Sequence, residues 1–298
     1  MENNEERKLN VDIPGAISEL QSMLKEFRLR KDIWKIFFRG KGLEFEQYRD
    51  YTPDDDASMI DFKTSSRAQK LIVKQYKEER ELEIFFVVDV GDNMVFGSTP
   101  KLKCEFMAEM VAAFSMVMVH ENDRIGYVLY SDKINEFVPC SGGEKQFQIF
   151  VDYLTQAKTY GGVPDLDQAL EFSLNNFPKS TASVIVVSDF LRLTSETEKK
   201  LTLLANRFET LCVRVRDPLD IEMPDMQGEV VVEDPKSHQQ LIINPRVAKG
   251  AYGMFAAEKD KRAKYIIQQS GADFLDLNTK ESFATPLAIF LKERIEGY

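Results

Sequence analysis

The chain has 298 residues, 43% of them apolar, enough for one large α/β domain with an appendage or for two small domains. Its net charge of −10 argues against a general nucleic-acid binder, which carries a basic face, and against adhesion to anionic membranes. No run reaches the roughly 20 apolar residues of a spanning helix. The nearest, 107–119, is broken by Glu109 and Ser115 and reads as a buried helix.

In chain order, Ile17, Leu20, Met23, Leu24 and Phe27 follow i, i+3, i+4 spacing, so residues 1–40 predict a helix with Pro14 in its first turn. The acidic start (Glu2, Glu5, Glu6) reads against a signal peptide. Trp34, Phe37 and Phe38 read as packing. Gly40-Lys41-Gly42 marks a turn, Pro53-Asp54-Asp55-Asp56 another, and Leu71 to Tyr76 a strand; the charged run 77–81 reads as a solvated face. In this segment Arg49 is a candidate partner for a carboxylate, and Asp54, Asp55 and Asp56 read as a solvated turn rather than a cation site.

From residue 82 strand and helix alternate. Strands are expected at 82–88, 124–130, 133–138, 184–188, 210–215 and 272–277, and helices at 101–120, 144–157, 196–208, 248–269 and 283–295. Asp165, after the loop Gly161-Gly162-Val163-Pro164, caps a further helix to about 176, and Gly271 suits a helix end. The stretch 217–247 interrupts the alternation with a predicted hairpin, 229–233 and 240–243, and His238 falls in its turn. The pattern predicts an α/β fold, a doubly wound and mostly parallel sheet. The division expected is 1–81, a helix and β collar, and 82–298, the α/β domain with the hairpin inserted at about 217–247. Cys104, Cys140 and Cys212 are odd in number and widely spaced; Cys104 and Cys212 read as small core hydrophobes, and a reducing, cytoplasmic setting follows.

Two apolar runs, Ile84-Phe85-Phe86-Val87-Val88 and Val184-Ile185-Val186-Val187-Ser188, end in Asp89 and Asp189. Open α/β sheets bind ligands outside the carboxyl ends of their strands, near a topological switch point, so these aspartates mark the functional face. Other chemistry is thin. Only two histidines occur, His120 reads as a helix C-terminal cap, and no zinc-protease pattern or His-based triad forms. Neither a phosphate-binding Gly-x-x-x-x-Gly-Lys loop nor a Gly-x-Gly-x-x-Gly turn is present.

The element order and the loop Asp89-Val90-Gly91-Asp92-Asn93 resemble a von Willebrand factor A domain. Gly42-Leu43-Glu44-Phe45, Arg49-Asp50-Tyr51, Ile60-Asp61-Phe62-Lys63, Ser66-Arg67, Glu79-Arg80, Val187-Ser188-Asp189-Phe190 and Asp217-Pro218 narrow the resemblance to the domain of unknown function 58 family, over about residues 35–298. That resemblance implies a von Willebrand factor A-like, Rossmann-like fold. It also implies a metal-ion-dependent adhesion site of the form Asp-x-Ser-x-Ser with a threonine and a third-loop aspartate. Here Asp89 and Asp189 match the aspartates, Gly91 and Asn93 stand at the serine positions, and Val163-Pro164 lacks the threonine.

Mg²⁺ takes near-octahedral oxygen ligands and keeps several waters. Two alternatives therefore stand. Asp89, Asn93 and Asp189 hold Mg²⁺ or another divalent cation with water, or the site is degenerate and Asp89, Gly91, Asp92, Asn93, Asp165 and Asp189 form a partner-docking surface. The resemblance implies a non-enzymatic, chaperone-like adaptor of a MoxR-type AAA+ ATPase or a client protein, with no catalytic residues, no nucleic acid and no membrane span of its own. The alternative is a Mg²⁺-dependent phosphohydrolase with Asp89 as nucleophile; it lacks the acid two residues on, where Gly91 stands.

Overall fold

The computed structural model describes residues 8–29, 45–52, 55, 60–76, 81–224, 228–233 and 240–296. Trp34, Phe37, Phe38, Asp54, Asp56, His238 and the run 77–80 lie outside these. Contacts divide the chain into two compact units, Met1–Phe37 with Leu82–Tyr298, and Phe38–Glu81. The first helix, α1 (Ile13–Glu26), begins at Asp12, whose carboxylate accepts from the Gly15 N–H, with a proline in its first turn. The sequence reading groups this helix with the collar; it packs on two helices of the larger unit, Lys103–His120 and Ala284–Glu296.

In the smaller unit, β1 (Phe45–Asp50) pairs antiparallel with β2 (Ile72–Tyr76), and α2 (Phe62–Ala68) lies between them in sequence. Asp61 caps α2 by accepting from the Thr64 N–H at 2.9 Å. Arg49 pairs with Asp55, whose carboxyl its hydrogen bonds hold well below the usual carboxylate range.

The larger unit is built on six strands in the order β10-β7-β6-β3-β4-β5. These are β3 (Glu83–Asp89), β4 (Arg124–Tyr130), β5 (Ile134–Ser141), β6 (Thr181–Ser188), β7 (Glu209–Arg216) and β10 (Asp273–Asn278). All neighbours run parallel except β4 and β5. The β-branched and aromatic runs of β3 and β6 are buried on both faces, as a covered parallel sheet requires.

Helices cover each face. Phe86 packs against Phe114 of α3 (Lys103–His120) and Phe150 of α4 (Glu144–Thr155). The alternate residues, Phe85, Val87, Val184 and Val186, join a cluster with Leu170 of α5 (Leu166–Asn176), Leu204 of α6 (Ser195–Arg207) and Ile267 of α7 (Pro245–Gln269). A short antiparallel hairpin, β8 (Val230–Glu233) and β9 (Gln240–Ile243), stands where the interruption predicts one, and α8 (Ala284–Glu296) closes the chain. This is the doubly wound, mostly parallel sheet expected of a von Willebrand factor A-like fold.

Crossovers lead from β3 to β4 on one side and from β6 to β7 on the other. The switch point therefore lies between β3 and β6. There Val88 pairs with Val187, so Asp89 and Asp189 leave the sheet side by side.

Candidate functional site

Asp89 ends β3 fully buried, and Asp189 follows β6 with 3% exposure. Each carboxylate is satisfied from within. Asp89 Oδ1 accepts from the Gly91 N–H at 2.9 Å. Its Oδ2 accepts from the Ser188 hydroxyl at 2.7 Å and from Asn93 Nδ2 at 3.0 Å. The same Asn93 amide donates to Asp189 Oδ2 at 2.8 Å, so one side chain bridges both acids. Asp189 Oδ1 accepts from the Leu191 N–H at 3.1 Å. Both carboxylates need donors, which fixes the amide orientation and leaves Asn93 Oδ1 buried without a partner.

A lysine completes the centre. Lys103, at the start of α3, is 1% exposed, and its Nζ donates to Asp189 Oδ2 and to Asp220 Oδ2, each at 3.0 Å. Asp220 lies in a 3-10 turn (Pro218–Asp220) capped by Asp217, which also accepts from the Ser98 N–H at 2.7 Å. Burial by itself lowers the Lys103 ammonium, but the charges of Asp189 and Asp220 outweigh it and raise it. Burial pushes Asp220 up, more than the Lys103 charge pulls it down. Burial also raises Asp89 to about 6, the Asp189 charge adds to this, and the donors from Asn93, Gly91 and Ser188 act the other way.

This donor set can be compared with what a divalent cation needs. A cation wants oxygen lone pairs converging on one point. Here an ammonium and an amide NH₂ point at Asp89 and Asp189. A side chain at Gly91 would also collide, because its Cβ would lie 2.6 Å from Asn93 Oδ1 and 2.8 Å from Pro164 Cδ. Gly91, Asn93 and Pro164 thus fit one another as a set. Among the described residues no group of three or more His, Cys, Asp or Glu side chains is arranged to hold a metal.

The remaining expected residues split. Asp92 stays beside the loop, tying it to the next one: its N–H donates to the Gly162 carbonyl at 2.8 Å, and its Oδ1 accepts from the Gly162 N–H at 3.0 Å. Gly162 needs its freedom, with φ +85 and a would-be Cβ 2.7 Å from Asp132 Oδ1. Asp165 is not part of the cluster. It caps α5, accepting from the Gln168 N–H at 2.9 Å, and borders a different cleft with Asp167 and Glu171. His120 makes a 3.3 Å contact with Gln21 through Nδ1.

Sequence reading did not single out Lys103, Ser188 or Asp220. Lys103 carried one signal: a cation in the first turn of a helix faces the positive end of the dipole and needs nearby acids. A cleft of about 120 Å³ opens over the pair, bordered by Asp89, Asn93, Asp189 and the loop 190–193. Phe190 in that loop has φ 51, an uncommon conformation for a bulky residue, with its ring buried.

The family model described as "Protein of unknown function DUF58" matches residues 47–263. "Uncharacterized protein Rv1480" of Mycobacterium tuberculosis (strain ATCC 25618 / H37Rv) is 28% identical over 262 residues, 87% of this chain and 81% of that protein. The structure of an aerotolerance-related membrane protein from Bacteroides fragilis NCTC 9343 is similar at a TM-score of 0.49 and 9% identity, over 73% of this chain and 100% of that one. The SpRpn10 VWA domain is similar at a TM-score of 0.40 and 10% identity, over 70% of this chain and 94% of that one. No helix among the described residues is long and apolar enough to cross a membrane.

Proposed function

This chain belongs to the family described as Protein of unknown function DUF58, and on that premise we propose that it is a non-enzymatic protein-interaction module. Its docking face is the carboxyl-terminal edge of the large sheet, around a degenerate metal-ion-dependent adhesion site. Its partner is a MoxR-type AAA+ ATPase, which it serves in the cytoplasm as an adaptor or co-chaperone toward a client protein.

One observation carries the reading. The Lys103 ammonium and the Asn93 amide stand where a cation would neutralise Asp89 and Asp189. A face whose acids find their donors inside the fold keeps its shape without metal and offers loops for contact. The same geometry argues against phosphohydrolase chemistry. Both Asp89 oxygens already accept hydrogen bonds and the residue is fully buried, so it is poorly placed to attack a phosphorus atom.

The test is capture of the purified ATPase from the same organism by the immobilised full chain. Wild type retains it, and Asn93→Ala, checked for folding by circular dichroism, retains less. Equal retention by both, or Mg²⁺-dependent phosphatase turnover that vanishes in Asp89→Asn, sinks the proposal.

A further inference from the structure

The loop after β6 serves two clefts. It borders the one over Asp89 and Asp189, and its residues 190–193 also border a neighbouring groove of about 280 Å³ against α7. That groove joins apolar Leu191, Leu193 and Ala263 to three cations, Arg192, Lys259 and Arg262. All three cations are exposed.

No carboxylate lines the groove beside them. Arg214 and Arg216 share Asp260 and Asp276, Arg294 pairs with Glu209 and Asp273, and Lys200 with Glu171. Among the described residues no carboxylate pairs with Arg192, Lys259 or Arg262; Lys259 Nζ lies 4.7 Å from the Phe255 ring centroid. In a chain of net charge −10 that holds more acids than bases, three unpaired cations around one groove mark an anion-accepting spot.

We propose that this groove receives a short acidic segment of a partner protein, with an Asp or Glu close to a Leu or Phe. The carboxylate takes the guanidinium of Arg192 or Arg262, whose planar fork suits bidentate pairing, and Lys259 adds charge. The neighbouring apolar side chain covers Leu191 and Leu193. The apolar lining is what selects a peptide over inorganic phosphate, which has no apolar part to place there. The overall negative charge disfavours a polyanion such as nucleic acid, which the rest of the surface repels. This inference rests on the docking reading above and names the chemistry of what docks.

The experiment uses the full chain and fluorescein-labelled ten-residue peptides that carry Asp and Glu among Leu and Phe, each with its Asn/Gln counterpart. Polarisation is read at low and near-physiological salt. Wild type binds acidic peptides and not the amide versions, and binding weakens with salt. Arg192→Glu/Arg262→Glu weakens it by about tenfold or more, while Lys145→Glu on α4 leaves it unchanged; thermal melting confirms that both variants fold. Equal binding of amide peptides, equal binding by the double variant, no binding at all, or full displacement by inorganic phosphate alone overturns the inference. The ATPase capture separates the two readings. If wild type and the double variant retain the ATPase equally while Asn93→Ala loses it, the docking face stands and the groove is not its contact.

Discussion

Lys103 is held at the unfavourable end of a helix dipole by Asp189 and Asp220. Removing one partner of a buried ion pair costs about 3–5 kcal/mol, because the other charges stay buried and uncompensated. Lys103→Ala is therefore expected to lower stability by that amount in urea titrations. Millimolar Mg²⁺ is expected to restore part of the melting temperature of Lys103→Ala and to leave wild type unmoved. A wild-type melting temperature that rises with Mg²⁺ contradicts the assignment of Lys103 to the cation's place. Asp89 supplies a second prediction. Its folded-state value, about 6, lies above the ordinary value of 3.8. The folded chain then binds the proton more tightly, so this group favours folding below about pH 4, and that contribution is lost as pH rises to about 6. The difference in urea midpoint between wild type and Asp89→Asn, followed from pH 4 to 7, should show that slope; a flat difference refutes it. Asp89 and Asp189 were legible in the sequence because each ends an apolar run. Lys103 was not, since its partners lie 86 and 117 residues away.

Among the elements, α3 explains itself through its cover. Nearly every residue from Lys103 to Val119 is buried, more than one sheet face requires. The reason is α1, which packs on its outer side. Buried Glu105 and Glu109 accept from the Asn10 and Asp12 N–H groups at 2.9 and 2.7 Å, tying the entry of α1 to α3. The apolar run marked a buried helix, yet no local pattern says which helix buries it; that pairing spans about 95 residues of sequence. Leu20 of α1 is fully buried. Leu20→Ala is expected to cost about 2–5 kcal/mol, read by chemical denaturation. A loss below ~1 kcal/mol, the scale of an exposed substitution, contradicts the packing described here. The strands were the most legible elements: β4 falls at 124–130 as predicted, and β5 runs longer than its pattern, to Ser141.

For the whole molecule, charge and topology act separately. The net charge of −10 predicts no shift of duplex DNA in a mobility assay at about 0.15 M salt, and a retarded band there contradicts it. The α/β alternation was readable from residue 82 onward because period-two and period-3.6 patterns are local. The sequence by itself determined the strands from residue 82 onward, the doubly wound class and the two strand-end aspartates, since each follows from the polarity of neighbouring residues. Only the tertiary structure decided that Asn93 and Lys103 donate to those aspartates, that Asp165 lies apart from them, and that Arg192 borders one groove with Lys259 and Arg262. Those placements depend on residues distant in sequence, so only chain folding sets them, and a donor's charge reveals nothing about which acceptor it will reach.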